Sequence, residues 1–163
     1  MNALRLEIEL SPCSDPPPYD QMWRGLLFVD GTLLNAEYSV DYMELVKSAI
    51  VEGDYYILTC GCGDSGCAGL EEPIRVTHDS GRILWHITDP LPERRFEFSK
   101  DDYATSILEF LRRVQAEVPR PKEEWDFPFG YYGFLARHLD WCVTTLDTGV
   151  IVGTGYENPD YDA

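Results

Sequence analysis

Residues 74–87 read IRVTHDSGRILWHI, two runs of alternating apolar and polar residues on either side of Asp79-Ser80-Gly81. Alternation with a period of two is typical of half-buried strands. Turn-forming residues between two such runs predict a β-hairpin, here with a three-residue turn. Because a short turn can only join antiparallel strands, this stretch favours an antiparallel sheet.

The chain before this hairpin repeats the pattern. Residues 4–10 alternate leucine or isoleucine with charged residues, which predicts another half-buried strand. Residues 23–29 and 32–34 are apolar runs separated by Asp30-Gly31, and an Asp-Gly pair in this position indicates a type I′ hairpin turn. Residues 55–59 predict one more strand, and residues 95–98 a short one that follows the proline-containing segment 89–92.

Two segments change to a helical period. Residues 42–50 place their apolar side chains on one face, with Ser39 as the expected N-cap and Gly53 as the expected stop. Residues 103–114 carry a second apolar stripe, with Ser99 as the expected N-cap. Helices placed between hairpin-linked strands predict an α+β fold, in which an antiparallel sheet carries two main helices on one face.

The last forty residues form an aromatic-rich C-terminal extension. Residues 134–139 suggest a short helix, and residues 141–146 and 150–152 a final pair of strands. Residues 156–163 are predicted to be a loose acidic tail. The length of 163 residues predicts a single domain that spans the whole chain, 1–163.

The chain is strongly acidic: 29 aspartates and glutamates against 13 lysines and arginines give a net charge of -16. Such a charge repels phosphate backbones and anionic lipids, so neither nucleic acid nor a membrane is an expected partner. The absence of a signal-like or membrane-spanning apolar run predicts a cytoplasmic protein.

The acidity is concentrated in the two ends of the chain. Residues 1–54 and 123–163 each carry a balance of -7, whereas residues 55–122 carry -2. Either the acidic ends are ordinary solvated loops, or they form a surface for a basic protein partner. The residues expected to bind such a partner are Asp15, Asp20, Glu123, Glu124, Asp126, Glu157, Asp160 and Asp162.

Residues 60–69 read CGCGDSGCAG and contain three of the five cysteines. One interpretation is a metal site in which Cys60, Cys62, Cys67 and a histidine, His78 or alternatively His86, bind zinc. The spacing departs from the usual Cys-x₂-Cys knuckle, and no second knuckle is present. The alternatives are a reactive thiol, which the neighbouring carboxylates disfavour, and a structural corner in which small residues allow close packing.

The cysteine count bears on the redox state. An odd number of cysteines in a chain without an export signal predicts reduced thiols and no disulfide framework.

The segment CGCGDSGCAG resembles a Cys/Gly segment of small bacterial proteins, and the acidic α+β chain around it resembles the immunity proteins of bacterial toxin–immunity systems. The resemblance implies a non-enzymatic inhibitor without a cofactor, which neutralises a basic toxin such as a nuclease. Because immunity families share no common motif, it assigns no functional residue. The alternative is a small zinc-binding module that uses the three cysteines and a histidine.

Overall fold

A computed structural model describes residues 1–12, 16 and 20–156 of the chain. It confirms the α+β class: antiparallel strands and three α-helices enclose one hydrophobic core. The strands are β1 (Leu4–Pro12), β2 (Gln21–Val29), β3 (Thr32–Leu33), β4 (Ser39–Val40), β5 (Gly53–Tyr55), β6 (Leu58–Thr59), β7 (Ile74–Asp79), β8 (Arg82–Ile87) and β9 (Arg94–Ser99). The helices are α1 (Tyr42–Ile50), α2 (Lys100–Glu117) and α3 (Ala136–Thr148), with a 3₁₀ turn at Glu124–Asp126.

The strands form three sheets, in the orders β1-β2-β3, β4-β6 and β5-β7-β8-β9. The predicted strand over residues 55–59 is therefore divided, because β5 pairs with β7 while β6 pairs with β4. Asn2 joins the two larger sheets, since its amide donates to the Glu97 carbonyl over 2.6 Å and its Oδ1 accepts from the Glu97 amide over 2.7 Å.

Both predicted hairpins are present. Asp30 and Gly31 have φ angles of 50° and 79°, as the type I′ turn between β2 and β3 requires. The turn between β7 and β8 has two residues, not three, because Asp79 pairs with Arg82 and only Ser80 and Gly81 adopt positive φ. The second turn therefore uses the same local geometry as the first.

The helix caps are partly as expected. Ser99 caps α2 by accepting a hydrogen bond from the Asp102 amide. Asp41, not Ser39, caps α1, because Ser39 is held in β4 while the Asp41 carboxylate accepts from the Met43 and Glu44 amides. The predicted stop at Gly53 was also wrong, since α1 ends at Ile50 and Gly53 starts β5.

The C-terminal extension contains a full helix where a short helix and two strands were expected. α3 runs over Ala136–Thr148, and residues 150–152 form no strand. Leu139, Cys142 and Val143 face the core at helical spacing, and α3 packs on α1 and α2. The strand prediction for residues 141–146 was wrong, because Val143, Thr144 and Thr145 are β-branched residues that favour strands but here lie inside α3.

Candidate binding surface and cysteine cluster

The structure brings part of the N-terminal acidic segment next to part of the C-terminal one. Trp23 of β2 forms a parallel bridge with Phe129: the Trp23 amide donates to the Pro128 carbonyl and the Gly130 amide to the Trp23 carbonyl, both over 2.8 Å. Asp20 and Asp126 each lie three residues before this bridge. Since the two chain segments run in the same direction, Asp20 and Asp126 both precede the bridge on the same side.

The other predicted acids are placed as follows. Glu123 and Asp20 are exposed, and neither forms a salt bridge within residues 1–12, 16 and 20–156. Glu124 accepts a hydrogen bond from Arg137 of α3 over 3.0 Å, so its charge is partly compensated. Asp15, Glu157, Asp160 and Asp162 lie outside the described residues.

Trp125 is the feature of this region that the sequence analysis missed. It lies in the 3₁₀ turn between Glu124 and Asp126, and 66% of its surface is exposed. Phe127, Phe129 and Phe134 of the same aromatic-rich extension are buried in the core. The signal that distinguishes Trp125 is its position among three carboxylates, where a core residue is not expected.

The surface is held on a rigid base. The rings of Phe129 and Phe134 pack with the ring of Tyr42 at centroid distances of 5.0 and 5.1 Å, and Phe127 contacts both phenylalanines. Four buried aromatic rings at such distances fix the segment that carries Trp125. We define Asp20, Glu123, Glu124, Trp125 and Asp126 as the acidic surface.

A buried carboxylate anchors the last described residue. Asp41 is only 4% exposed, and its Oδ2 accepts a hydrogen bond from the Tyr156 hydroxyl over 2.6 Å. The ammonium group of Lys47 lies 5.0 Å from the centre of the Tyr156 ring. Burial raises the pKa of Asp41 to about 6, although the hydrogen bonds from Tyr156 and from the Glu44 amide act in the opposite direction. Tyr156, at the start of the predicted loose tail, is thus attached to the N-terminus of α1.

The raised pKa of Asp41 predicts a pH-dependent stability. The folded protein holds the Asp41 proton up to about pH 6, whereas the unfolded chain loses it near pH 4. Between these values the folded state binds more protons, so the contribution of Asp41 to the free energy of unfolding falls as pH rises, by about 1–3 kcal/mol in total. Asp41→Asn keeps a capping oxygen and abolishes this titration.

Urea unfolding of the wild type and of Asp41→Asn at pH 4, 5, 6 and 7 measures this effect. The difference in unfolding free energy is expected to shift in favour of Asp41→Asn as pH rises, and to level off above about pH 7. Other carboxylates titrate equally in both proteins and cancel. A difference that stays constant across this range would contradict the prediction.

The three cysteines of residues 60–67 are also brought together. β6 ends at Thr59, so Cys60 and Cys62 lie beyond the strand, and Cys62 lies in a turn. The sulfur atoms of Cys60, Cys62 and Cys67 all lie within 4.8 Å of one another. Cys60 and Cys62 form a disulfide, with 5.4 Å between their Cα atoms, so the expectation of reduced thiols was wrong for this pair.

The structure does not place a histidine in this cluster. His78 lies on β7, with its Nε2 2.9 Å from the Ser48 carbonyl oxygen of α1 and its Nδ1 3.5 Å from Lys100 Nζ. His86 Nε2 is 2.6 Å from a Glu93 carboxylate oxygen. The predicted ligand set is therefore reduced to the three sulfurs.

Comparisons of the chain with models of known families, with curated proteins and with solved structures give no match. Within the described part of the chain, no helix is long and apolar enough to cross a membrane.

Proposed function

We propose that this protein is a non-enzymatic inhibitor of the immunity type, which binds a basic protein through the acidic surface. The observation that carries the proposal is Trp125, which is two-thirds exposed between Glu124 and Asp126 on a rigid segment. An exposed tryptophan surrounded by charges matches the composition of binding hot spots, in which a large aromatic side chain is buried on association.

The electrostatics favour a cationic partner. The net charge of -16 attracts a basic protein at long range, and carboxylates at the contact take the place of nucleic-acid phosphates in a cationic cleft. Two basic residues weaken the local negative field. Arg137 pairs with Glu124, and Lys122 precedes Glu123 in the sequence. Asp20 and Glu123 therefore contribute most of the uncompensated charge.

The partner can be identified and then tested quantitatively. The immobilised protein would capture candidates from the source cell, including the products of neighbouring genes, and each candidate would be purified for kinetic measurement. We expect the association rate constant to fall at least ~10-fold when salt is raised to about 0.5 M, because the attraction is screened. An association rate that is insensitive to salt would refute the proposed mechanism.

Matched variants separate the surface from the overall charge. Asp20→Asn/Glu123→Gln/Asp126→Asn is expected to slow association, because it removes three charges at the contact. Glu71→Gln/Glu72→Gln/Glu109→Gln removes the same charge from exposed sites in the loop before β7 and on α2, and it should slow association less. Equal slowing by both triple variants would mean that only the net charge matters.

The role of Trp125 has a distinct signature. Trp125→Ala is expected to increase the dissociation rate constant by about 30-fold, equivalent to the ~2 kcal/mol of a hot-spot residue, and to leave the association rate nearly unchanged. Tyr132→Ala is the matched control, since Tyr132 is also an exposed aromatic residue of this extension, 74% exposed, but has no acidic neighbours in sequence. If Trp125→Ala increases the dissociation rate constant no more than Tyr132→Ala does, the acidic surface is not the contact.

A further inference from the structure

The loop of residues 60–67 holds three sulfurs in one place, outside the acidic surface. We propose that Cys60, Cys62 and Cys67, in the reduced chain, bind one Zn²⁺ ion as thiolates, and that oxidation of Cys60 and Cys62 to their disulfide releases it. This inference is independent of the proposed inhibitory function, because it uses none of the residues assigned to that contact.

The separation of the sulfurs fits one shared metal ion. A Zn–S bond of about 2.3 Å with tetrahedral angles places two ligand sulfurs roughly 3.8 Å apart. The Cys67 sulfur lies within 4.8 Å of both other sulfurs, and reduction of the Cys60–Cys62 disulfide frees these two sulfurs to separate to this spacing. Cys67 is exposed, which gives the ion a path from solvent.

The loop is fixed before any metal binds. The Cys60 amide donates to the Asp64 carbonyl over 3.2 Å, and the Gly63 amide to the Cys60 carbonyl over 3.0 Å. Asp64 Oδ1 accepts from the Gly66 amide over 2.8 Å and from the Cys67 amide over 3.4 Å. These bonds hold the chain that carries Cys67 against the chain that carries Cys60, so little conformational entropy is lost on binding.

Two contacts attach this loop to the C-terminal extension. The Tyr132 amide donates to the Gly61 carbonyl over 2.7 Å. Gly63 has a φ of 85°, and a Cβ atom there would lie 2.6 Å from the Tyr131 ring, so only glycine fits against that ring. The loop therefore has a defined position on the body of the protein.

The electrostatics suit a cation. Asp64, Glu71 and Glu72 oppose the use of these cysteines as anionic nucleophiles, but they attract a divalent ion. The Cys62 amide lies 3.2 Å from Cys60 Sγ and donates to it, as amides do to metal-bound thiolates. Among the described residues no other histidine, cysteine or carboxylate joins the cluster, which leaves the fourth position of the ion to water.

Oxidation and metal binding exclude each other at this site. When Cys60 and Cys62 form their disulfide, each thiolate gives up one electron and the new S–S bond consumes both sulfurs as ligands. The two electrons pass to an added two-electron thiol oxidant such as diamide, which becomes the hydrazine by taking up two protons, and zinc leaves unchanged as Zn²⁺. With only Cys67 left, the ion loses two of its three protein ligands.

The test uses the full chain with Cys13→Ser/Cys142→Ala, which retains only the three cluster cysteines. Native mass spectrometry of this variant, reduced and supplied with Zn²⁺ alone, is expected to show one ion per chain, and diamide is expected to release it. In this background, each of Cys60→Ser, Cys62→Ser and Cys67→Ser should weaken zinc affinity at least tenfold. Loss of a group that only supports a metal ligand already costs about tenfold, so loss of a ligand should cost at least as much. Absence of bound zinc, or equal affinity without Cys67, would overturn the proposal.

The wild type provides a second measurement, in case replacement of the buried Cys142 prevents folding. The reduced protein is alkylated with iodoacetamide, with and without Zn²⁺, and the modified cysteines are located by peptide mass. Zinc is expected to slow the alkylation of Cys60, Cys62 and Cys67 at least tenfold. Equal alkylation rates with and without zinc would overturn the proposal.

Discussion

Asn35→Ala is expected to lower the free energy of unfolding by about 3–4 kcal/mol. Asn35 has no exposed surface, its Oδ1 accepts from the Leu27 amide over 2.8 Å, and its Nδ2 donates to the Gly25 carbonyl over 2.9 Å. Nδ2 also lies 3.2 Å from the Tyr38 carbonyl. The side chain thus acts as a strand partner for β2 beyond the end of the short β3, and its loss leaves buried backbone groups unpaired at about 1–3 kcal/mol each.

Urea unfolding of Asn35→Ala and of a control, Asn2→Ala, measures this cost. Asn2 also makes two short hydrogen bonds, to Asp30 and Glu97, but its groups are reached by water, so its removal should cost only about 1 kcal/mol. If Asn35→Ala lowers the free energy of unfolding no more than Asn2→Ala does, water replaces the Asn35 amide, and the backbone groups of β2 do not depend on it.

Gly25→Ala is expected to destabilise the protein by about 2–3 kcal/mol, whereas the same change in an ordinary strand is mildly favourable. A Cβ atom at Gly25 would lie 2.7 Å from the Tyr42 hydroxyl and 2.8 Å from Phe110 Cζ. Tyr42 and Phe110 are almost completely buried and pack with Phe129, so neither ring can move without disturbing the core. The Gly25 amide also donates to the Tyr42 hydroxyl over 3.0 Å.

A double-mutant cycle tests the cause of this effect. Tyr42→Phe removes the nearer of the two clashing atoms, so Gly25→Ala should cost less in that background than in the wild type. Gly61→Ala is the matched control: no atom of the described residues lies within 4 Å of its added Cβ, and its effect should stay within about 0.5 kcal/mol. Equal costs of Gly25→Ala with and without the Tyr42 hydroxyl would show that the clash is not the cause.

The sequence identifies the carboxylates of the acidic surface, but it does not show that they belong to one surface. Glu123, Glu124 and Asp126 stand out by composition, but only the bridge between Trp23 and Phe129, 106 residues apart, joins their segment to the one that follows Asp20. Trp125 is chemically similar to the buried aromatics around it. Only the packing of Phe127, Phe129 and Phe134 on Tyr42 determines that Trp125 is left outside the core.

The cysteine loop shows the same division. Three cysteines within eight residues indicate a shared site, and the structure gathers their sulfurs within 4.8 Å. Spacing along the sequence could not show whether His78 lies near the cysteines, because β7 belongs to a different sheet from β6. The position of His78 against α1 is a consequence of sheet order, which short-range patterns do not contain.

The sequence by itself determined the features that depend on neighbours along the chain. These are the two hairpins, the turn residues of the first one, the long amphipathic helix capped by Ser99, the α+β class and the overall acidity. Local backbone preferences and the period of apolar residues are sufficient for these features. Tertiary structure alone decided the cap of α1, the full length of α3, the exposure of Trp125 and the burial of Asp41 beneath Tyr156. Each of these depends on contacts between distant segments, because burial and pairing are properties of the packed molecule and not of any single segment.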